Sequence, residues 1–200
     1  MTVLHRVSLL VLAAALAGCA TTAPQTTNAV QASAPYRDTV ELTGRLQVTY
    51  QKDGQPNSMN GGFEWSQRPG QVDVAFLNPL KQTVATISVT PQQATLTEAG
   101  RAPRSAGDID ALTRQALGWS LPVSGLRDWL QGYATDAAGK RFAASPANNT
   151  VFTQDGWNLR FVSWQAGQGG AQVPKNIVAQ RSATAASDEL AIQIILDPVS

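Results

Sequence analysis

In 200 residues the chain has one histidine and one cysteine, His5 and Cys19, both in its first tenth. Everything after Cys19 lacks imidazole and thiol. That excludes Ser-His-Asp and Cys-His catalysis and removes the commonest zinc ligands, so no metal site is expected. An internal disulfide is excluded too, and stability must come from a packed core. Excess charge of either sign is also lacking, with 15 Lys and Arg against 14 Asp and Glu. A nucleic-acid partner would need a basic stripe, and none is visible. The apolar run near the start, Val7 to Leu16 broken by Ser8, falls far short of the ~20 residues of a membrane-spanning helix. Of the enzyme classes considered, only carboxylate chemistry of the glycosidase kind survives these exclusions.

What is there begins with that short run. His5 and Arg6 give it a basic start, and Leu16-Ala17-Gly18-Cys19 closes it with small residues around a cysteine. A plain secretory signal ends in an A-x-A site, whereas Leu-x-Gly-Cys resembles the bacterial lipobox. The resemblance implies cleavage before Cys19 and acylation of Cys19. Residues 1–18 are then a signal peptide, and loss of Arg6 leaves 14 charges of each sign. Acyl chains contribute about 0.8 kcal/mol per buried methylene, so two or three hold a protein on a bilayer without a spanning helix. Ala20 follows the cysteine. In Gram-negative lipoproteins of this kind an Asp there implies retention in the inner membrane, and its absence implies the periplasmic face of the outer membrane. Residues 19–37 read as the lipidated N-terminus and a flexible tether, since Ala20 to about Pro35 is mostly Thr, Ala, Gln, Ser and Pro. Residues 38–200 read as one domain.

The domain opens on strict alternation. Leu42, Gly44, Leu46, Val48 and Tyr50 fall on one side of an extended segment, with Glu41, Thr43, Arg45, Gln47 and Thr49 on the other. Lys52-Asp53-Gly54 and Arg68-Pro69-Gly70 are turn signals, and between and after them Met59 to Ser66 and Val72 to Leu77 repeat the pattern. Further strands are expected at Thr83–Val89 and Ala94–Glu98, and from Lys140 onward, notably Trp157–Trp164, Asn176–Gln180 and Leu190–Leu196. Between these blocks the period changes. Asp108 can cap a helix with Ile109, Leu112, Ala116 and Leu117 on one face and Gly118 at its end; Ser124 can cap a second with Leu126, Trp129 and Leu130 on one face. Asn78-Pro79-Leu80-Lys81 separates two strands, because Pro79 cannot sit in a central one. It leaves Leu80 at a turn tip, either tucked under its own loop or meant to touch lipid.

The fold class is therefore mainly β with α: a single antiparallel sheet of roughly nine to eleven strands, curled because twist accumulates. Such a sheet makes a half-open β-barrel, and two short amphipathic helices suffice as a lid over an apolar cavity. Face and stripe assign Leu46, Val48, Phe63, Trp65, Val74 and Phe76 to its wall. Trp119, Leu121, Leu126, Trp129 and Leu130 are assigned to its cover. No cofactor is implied.

The segments Phe76-Leu77-Asn78-Pro79-Leu80-Lys81, Leu117-Gly118-Trp119-Ser120-Leu121-Pro122, Leu126-Arg127-Asp128-Trp129-Leu130-Gln131-Gly132 and Asp155-Gly156-Trp157 together resemble the LolB family of outer-membrane lipoprotein receptors. The resemblance runs from Leu42 to Leu196. It implies a monomeric, non-enzymatic protein whose cavity receives the acyl chains of lipoprotein cargo from a soluble LolA-type periplasmic carrier and releases them into the outer membrane. It also implies that Pro79 and Leu80 form a membrane-insertion loop. The sequence departs from the family in three places: Lys81 stands where the motif usually has glycine, no N-terminal helix is visible between Ala32 and Val40, and Leu196-Asp197-Pro198 lacks the usual terminal aromatic. Three other readings share some of these features. They are a lipoprotein carrying another lipid, a structural envelope-assembly lipoprotein, and a glycosidase using Glu64 and Asp73, which lie on the polar face of their strands.

Overall fold

The structure, a computed structural model, describes residues 34–52, 54–117, 119–183 and 189–198. Cys19, Gly118 and the region expected to be signal peptide and most of the tether lie outside them. The alternation of the sequence becomes alternation of burial. In β1 (Val40–Lys52), Val40, Gly44 and Val48 are buried and Leu42, Leu46 and Tyr50 half-buried, while Glu41, Thr43, Arg45, Gln47 and Thr49 are exposed. The same rule orders β2 (Gln55–Arg68), β3 (Gln71–Leu77), β4 (Thr83–Val89) and β5 (Ala94–Glu98), a meander that ends in the short β6 (Arg104–Ala106).

Two helices then interrupt the strands. Helix α1 (Ile109–Leu117) starts where the Asp108 carboxylate accepts the Asp110 backbone N–H at 2.8 Å, and it buries Ile109 and Leu112. Helix α2 (Val123–Trp129) buries Val123, Leu126 and Trp129. Its start differs from expectation. Ser124 is exposed inside the first turn and caps nothing; the N-cap position is Pro122, with no side-chain cap. A small hairpin follows, β7 (Tyr133–Thr135) with β8 (Arg141–Ala143), and then β9 (Thr150–Phe152), β10 (Asn158–Ala166), β11 (Gln172–Arg181) and β12 (Leu190–Leu196).

Ten strands form one antiparallel sheet in the order β6-β5-β4-β3-β2-β1-β12-β11-β10-β9. The first and last strands of the domain are neighbours, with Leu46 opposite Ile194 and Val48 opposite Ile192. The end strands β6 and β9 do not pair with each other, so the sheet curves but stays open. It has two ends. At the base, Val40 is level with Gln67, Gln67 with Val72, and Val72 with Val89. At the rim, Tyr50 is level with Leu190 and Leu190 with Arg181, and the Asn78–Gln82 loop leaves β3 toward this side.

Strand β10 holds a correction. Strict alternation puts Trp164 on the face opposite Phe161, but between the pairs Phe161–Ile177 and Trp164–Pro174 a slip on β10 is matched by one on β11. The slip returns Trp164 to the inner face, where its ring stacks on Phe161 at 6.1 Å. One extra residue in a strand inverts the parity of all that follow. The base holds a second difference. Ala34 to Arg37, expected in the tether, lie against the domain without helix, and the Ala34 N–H donates to the Gln172 carbonyl at 3.1 Å.

Phe161 is fully buried between Phe142 and Trp164. Phe161→Ala should therefore destabilise the fold by about 3–5 kcal/mol, read as a lower midpoint in urea denaturation. A change within a few tenths of that unit would show that the aromatic stack contributes little.

Candidate functional site

The inner faces of β1, β2, β3 and β12 meet α2 across a narrow slit. Leu46, Phe63, Trp65, Val74 and Phe76 line it from the first three strands, Ile192 and Ile194 from β12, and Leu121, Leu126 and Leu130 from the cover. Every one of these side chains is apolar, although Trp65 carries an N–H. That N–H donates to the Gln67 side chain at 3.4 Å, and the buried Gln67 amide donates to the Tyr36 hydroxyl at 3.0 Å. The slit holds about 20 Å³, room for about one water. A hydrocarbon chain does not fit in this volume.

Eight of the eleven residues assigned to the cavity from sequence meet here. Val48, Trp119 and Trp129 are buried elsewhere. Val48 lies on the correct face but one step toward the rim, level with Met59 and Ile192. Trp119 packs on Tyr50, with ring centroids 6.2 Å apart. Trp129 turns toward Trp157, 5.4 Å away, under Gly125, where any Cβ would stand 2.5 Å from the indole. Trp129 and Leu130, about 100° apart around the helix axis, here take different targets. Ile192 and Ile194 were missed as lining residues. Their alternation was legible, but the pairing of β12 with β1 that brings them to the slit was not.

The Asn78–Gln82 loop presents Leu80 at 79% exposure. Asn78 builds it. Its side-chain oxygen accepts the N–H of Leu80 at 2.9 Å and of Gln82 at 3.0 Å, its carbonyl accepts the Lys81 N–H at 2.8 Å, and its own N–H donates to the Gln82 carbonyl at 3.0 Å. The available signal was Asn before Pro, a turn-initiating pair. Lys81 has φ of 60°, the one positive φ of a non-glycine among the described residues. This is backbone in which glycine is at ease.

On the other face of the sheet, Glu64 and Asp73 are two residues out of step, since Ser66 pairs with Asp73 and Glu64 with Ala75. Burial raises the Asp73 pKa, but bonds from Ser88 at 2.7 Å, Gln71 at 2.8 Å and Arg68 at 3.0 Å outweigh it and hold the carboxyl below its usual range. An acid kept ionised this way cannot protonate a leaving group. The described residues contain no cluster of three or more His, Cys, Asp or Glu side chains able to hold a metal ion. No described helix is long and apolar enough to cross a membrane.

Buried polar atoms without partners lie on β11, at Asn176 and Arg181, and at α1 and its connector. Asp110 Oδ1 and Trp119 Nε1 are buried without hydrogen-bond partners, as is Arg181 Nε. Burial, helped by Asp108, pushes the Asp110 carboxyl above its ordinary pKa of 3.8, against the pull of Arg114 and Arg181.

The architecture is an open antiparallel half-barrel, apolar inside, covered by two short helices and carrying an exposed leucine on a hydrogen-bonded loop. The comparisons are specific within that class. The model of the family described as outer membrane lipoprotein LolB matches residues 38–198. The outer-membrane lipoprotein LolB of Cupriavidus taiwanensis is 35% identical over 188 residues, covering 92% of this chain and 90% of that protein. The protein of the same name from Bordetella pertussis is 35% identical over 181 residues, covering 89% and 85%. Among solved structures, a LolA-superfamily protein of Nitrosomonas europaea aligns with a TM-score of 0.46 at 7% identity, covering 86% of this chain and 89% of that one. The chain belongs to the LolB family.

Two outcomes follow. Asn78→Ala removes two accepted bonds and should cost about 1–2 kcal/mol, with faster hydrogen exchange at the Leu80 and Gln82 amides; unchanged exchange there would mean that another element shapes the loop. Asp110→Asn removes a carboxylate whose folded pKa is raised. The penalty in the native protein is full at neutral pH and vanishes as pH falls below the unfolded value of 3.8. The substitution should thus raise the melting temperature at pH 7 and lose that advantage in acid. A gain independent of pH would contradict the assignment.

Proposed function

We propose that this protein is a receptor anchored on the periplasmic face of the outer membrane by acylated Cys19. It accepts lipoprotein acyl chains from a LolA-type carrier between its sheet and α2, and inserts them into the bilayer with the help of Pro79 and Leu80. The observation that carries this reading is the pairing of a wholly apolar slit under a small helical cover with a leucine at 79% exposure on a loop closed by four hydrogen bonds of Asn78, two to its side-chain oxygen and two through its backbone. An isolated exposed leucine needs no explanation; one on a loop built to hold it does. The names of the relatives, which call them outer-membrane lipoproteins, support the location.

The chemistry asked of the chain is modest. Moving an acylated protein breaks no bond and needs no nucleotide, metal or cofactor. It needs apolar surface that opens and closes, with similar burial at each station, because each methylene handed over is worth about 0.8 kcal/mol. Lys81, beside Leu80, adds a cation that favours an anionic bilayer surface.

The test is transfer of a triacylated lipoprotein from the carrier to a soluble Cys19→Ala form, and onward to liposomes. Uptake that a diacyl phospholipid barely inhibits supports the reading; equal preference for phospholipid would reassign the cargo. Burying one leucine is worth about 1.5–3 kcal/mol, so Leu80→Glu should keep uptake and slow insertion roughly 10–100-fold. Unaltered insertion would remove Leu80 from the mechanism.

A further inference from the structure

The two ends of the lid are held differently. At the base, the chain entering the domain is fastened to the C-terminal end of α2. Gln131 Oε1 accepts the Arg37 N–H at 2.9 Å, and Gln131 Nε2 donates back to the Arg37 carbonyl at 3.0 Å. The Tyr133 hydroxyl donates to the Ala34 carbonyl at 2.7 Å. Tyr36 meets Tyr133 edge to face at 5.6 Å, and the Arg141 guanidinium lies over both rings at 4.7 and 4.6 Å. The same four residues reach both flanks of the sheet, through Gln67 on β2 and Gln172 on β11. They form a clasp.

Among the described residues no comparable set of hydrogen bonds fastens the lid at the rim, where the Arg181 guanidinium on β11 attracts the Asp110 carboxylate. α1 and its connector are bonded to each other: Arg114 to Ser120 at 2.8 Å, Ser120 to the Asp110 carbonyl at 3.1 Å, and the Leu121 N–H to Thr113 Oγ1 at 3.0 Å. They form one body. Two buried side-chain atoms of this body, Asp110 Oδ1 and Trp119 Nε1, have no hydrogen-bond partner. Burying them costs free energy that hydration would return. α1 rests on β5 and on the three-residue edge strand β6, and Trp119 rests on the half-buried Tyr50. The joint between the loose body and α2 is Pro122, whose φ of −78° and ψ of 64°, with the Val123 N–H on the Leu121 carbonyl at 2.8 Å, make an inverse γ-turn.

We propose that the lid is hinged at Pro122, with α2 pinned by the Ala34–Arg37 clasp, and opens at the rim, where α1 and the connector lift Trp119 off Tyr50. The passage so opened leads from the slit to the end of the sheet that carries Leu80, and away from the end where the tether enters. This rests on the acyl-receptor reading only for what passes through. Gln131, Tyr36 and Tyr133 are positioning residues, remote from the cargo.

Hydrogen exchange of the soluble Cys19→Ala chain, without cargo, tests the hinge apart from that reading. The α1 amides should exchange about tenfold or more faster than those of α2, and Gln131→Ala with Tyr36→Phe should speed α2 by a similar factor while leaving α1 unchanged. If the double variant does not fold, Gln131→Glu, which keeps the acceptor for Arg37 and loses the donor, should give a smaller gain at α2 alone. Equal exchange of α1 and α2 in the parent chain, or α2 rates indifferent to the clasp, would overturn the proposal whatever the cargo proves to be.

Discussion

The constraint on which this fold depends is the burial of one apolar sheet face under a cover of two short helices. The inner sides of β1, β2, β3 and β12 put Leu46, Phe63, Trp65, Val74, Phe76, Ile192 and Ile194 on one surface, and Leu121, Leu126 and Leu130 close it. Helices of nine and seven residues contribute little stability of their own, so the cover exists because the sheet attracts it. After Cys19 the chain has neither histidine nor cysteine, so its stability rests on this packing and not on disulfides.

The polar groups near the slit are arranged to suit this constraint. Gln67, fully buried beside Trp65, is satisfied through Tyr36 and so ties the wall to the base. Asp110 and Trp119, on the side toward the rim, are left short of partners. The outer face takes the charged residues, where Asp73 is held ionised by Ser88, Gln71 and Arg68.

Much of this was legible in sequence because it obeys short periods. Alternation from Leu42 to Tyr50 placed β1, and Pro79 separated β3 from β4 and left Leu80 at a tip. Aspartate at 108 marked the start of α1. What escaped notice depends on distance along the chain or on a broken period. The pairing of β1 with β12 joins residues about 150 apart, and it alone brings Ile192 and Ile194 to the slit. The slip in β10 moved Trp164 to the inner face. The clasp at Ala34–Arg37 is made of backbone groups meeting Gln131 and Tyr133, which no local pattern announces. Lys81 was visible as a departure from glycine, but only the positive φ explains why glycine suits that position.

The most direct measurement of whether acyl chains occupy the space between sheet and α2 is tryptophan fluorescence of the soluble Cys19→Ala chain titrated with a fatty acid brominated along its chain. Trp65 lines the slit, whereas Trp157 and Trp164 do not. The account predicts saturable quenching at one equivalent, most of it lost in Trp65→Phe. Quenching that survives that substitution, or none at stoichiometric ligand, would contradict it.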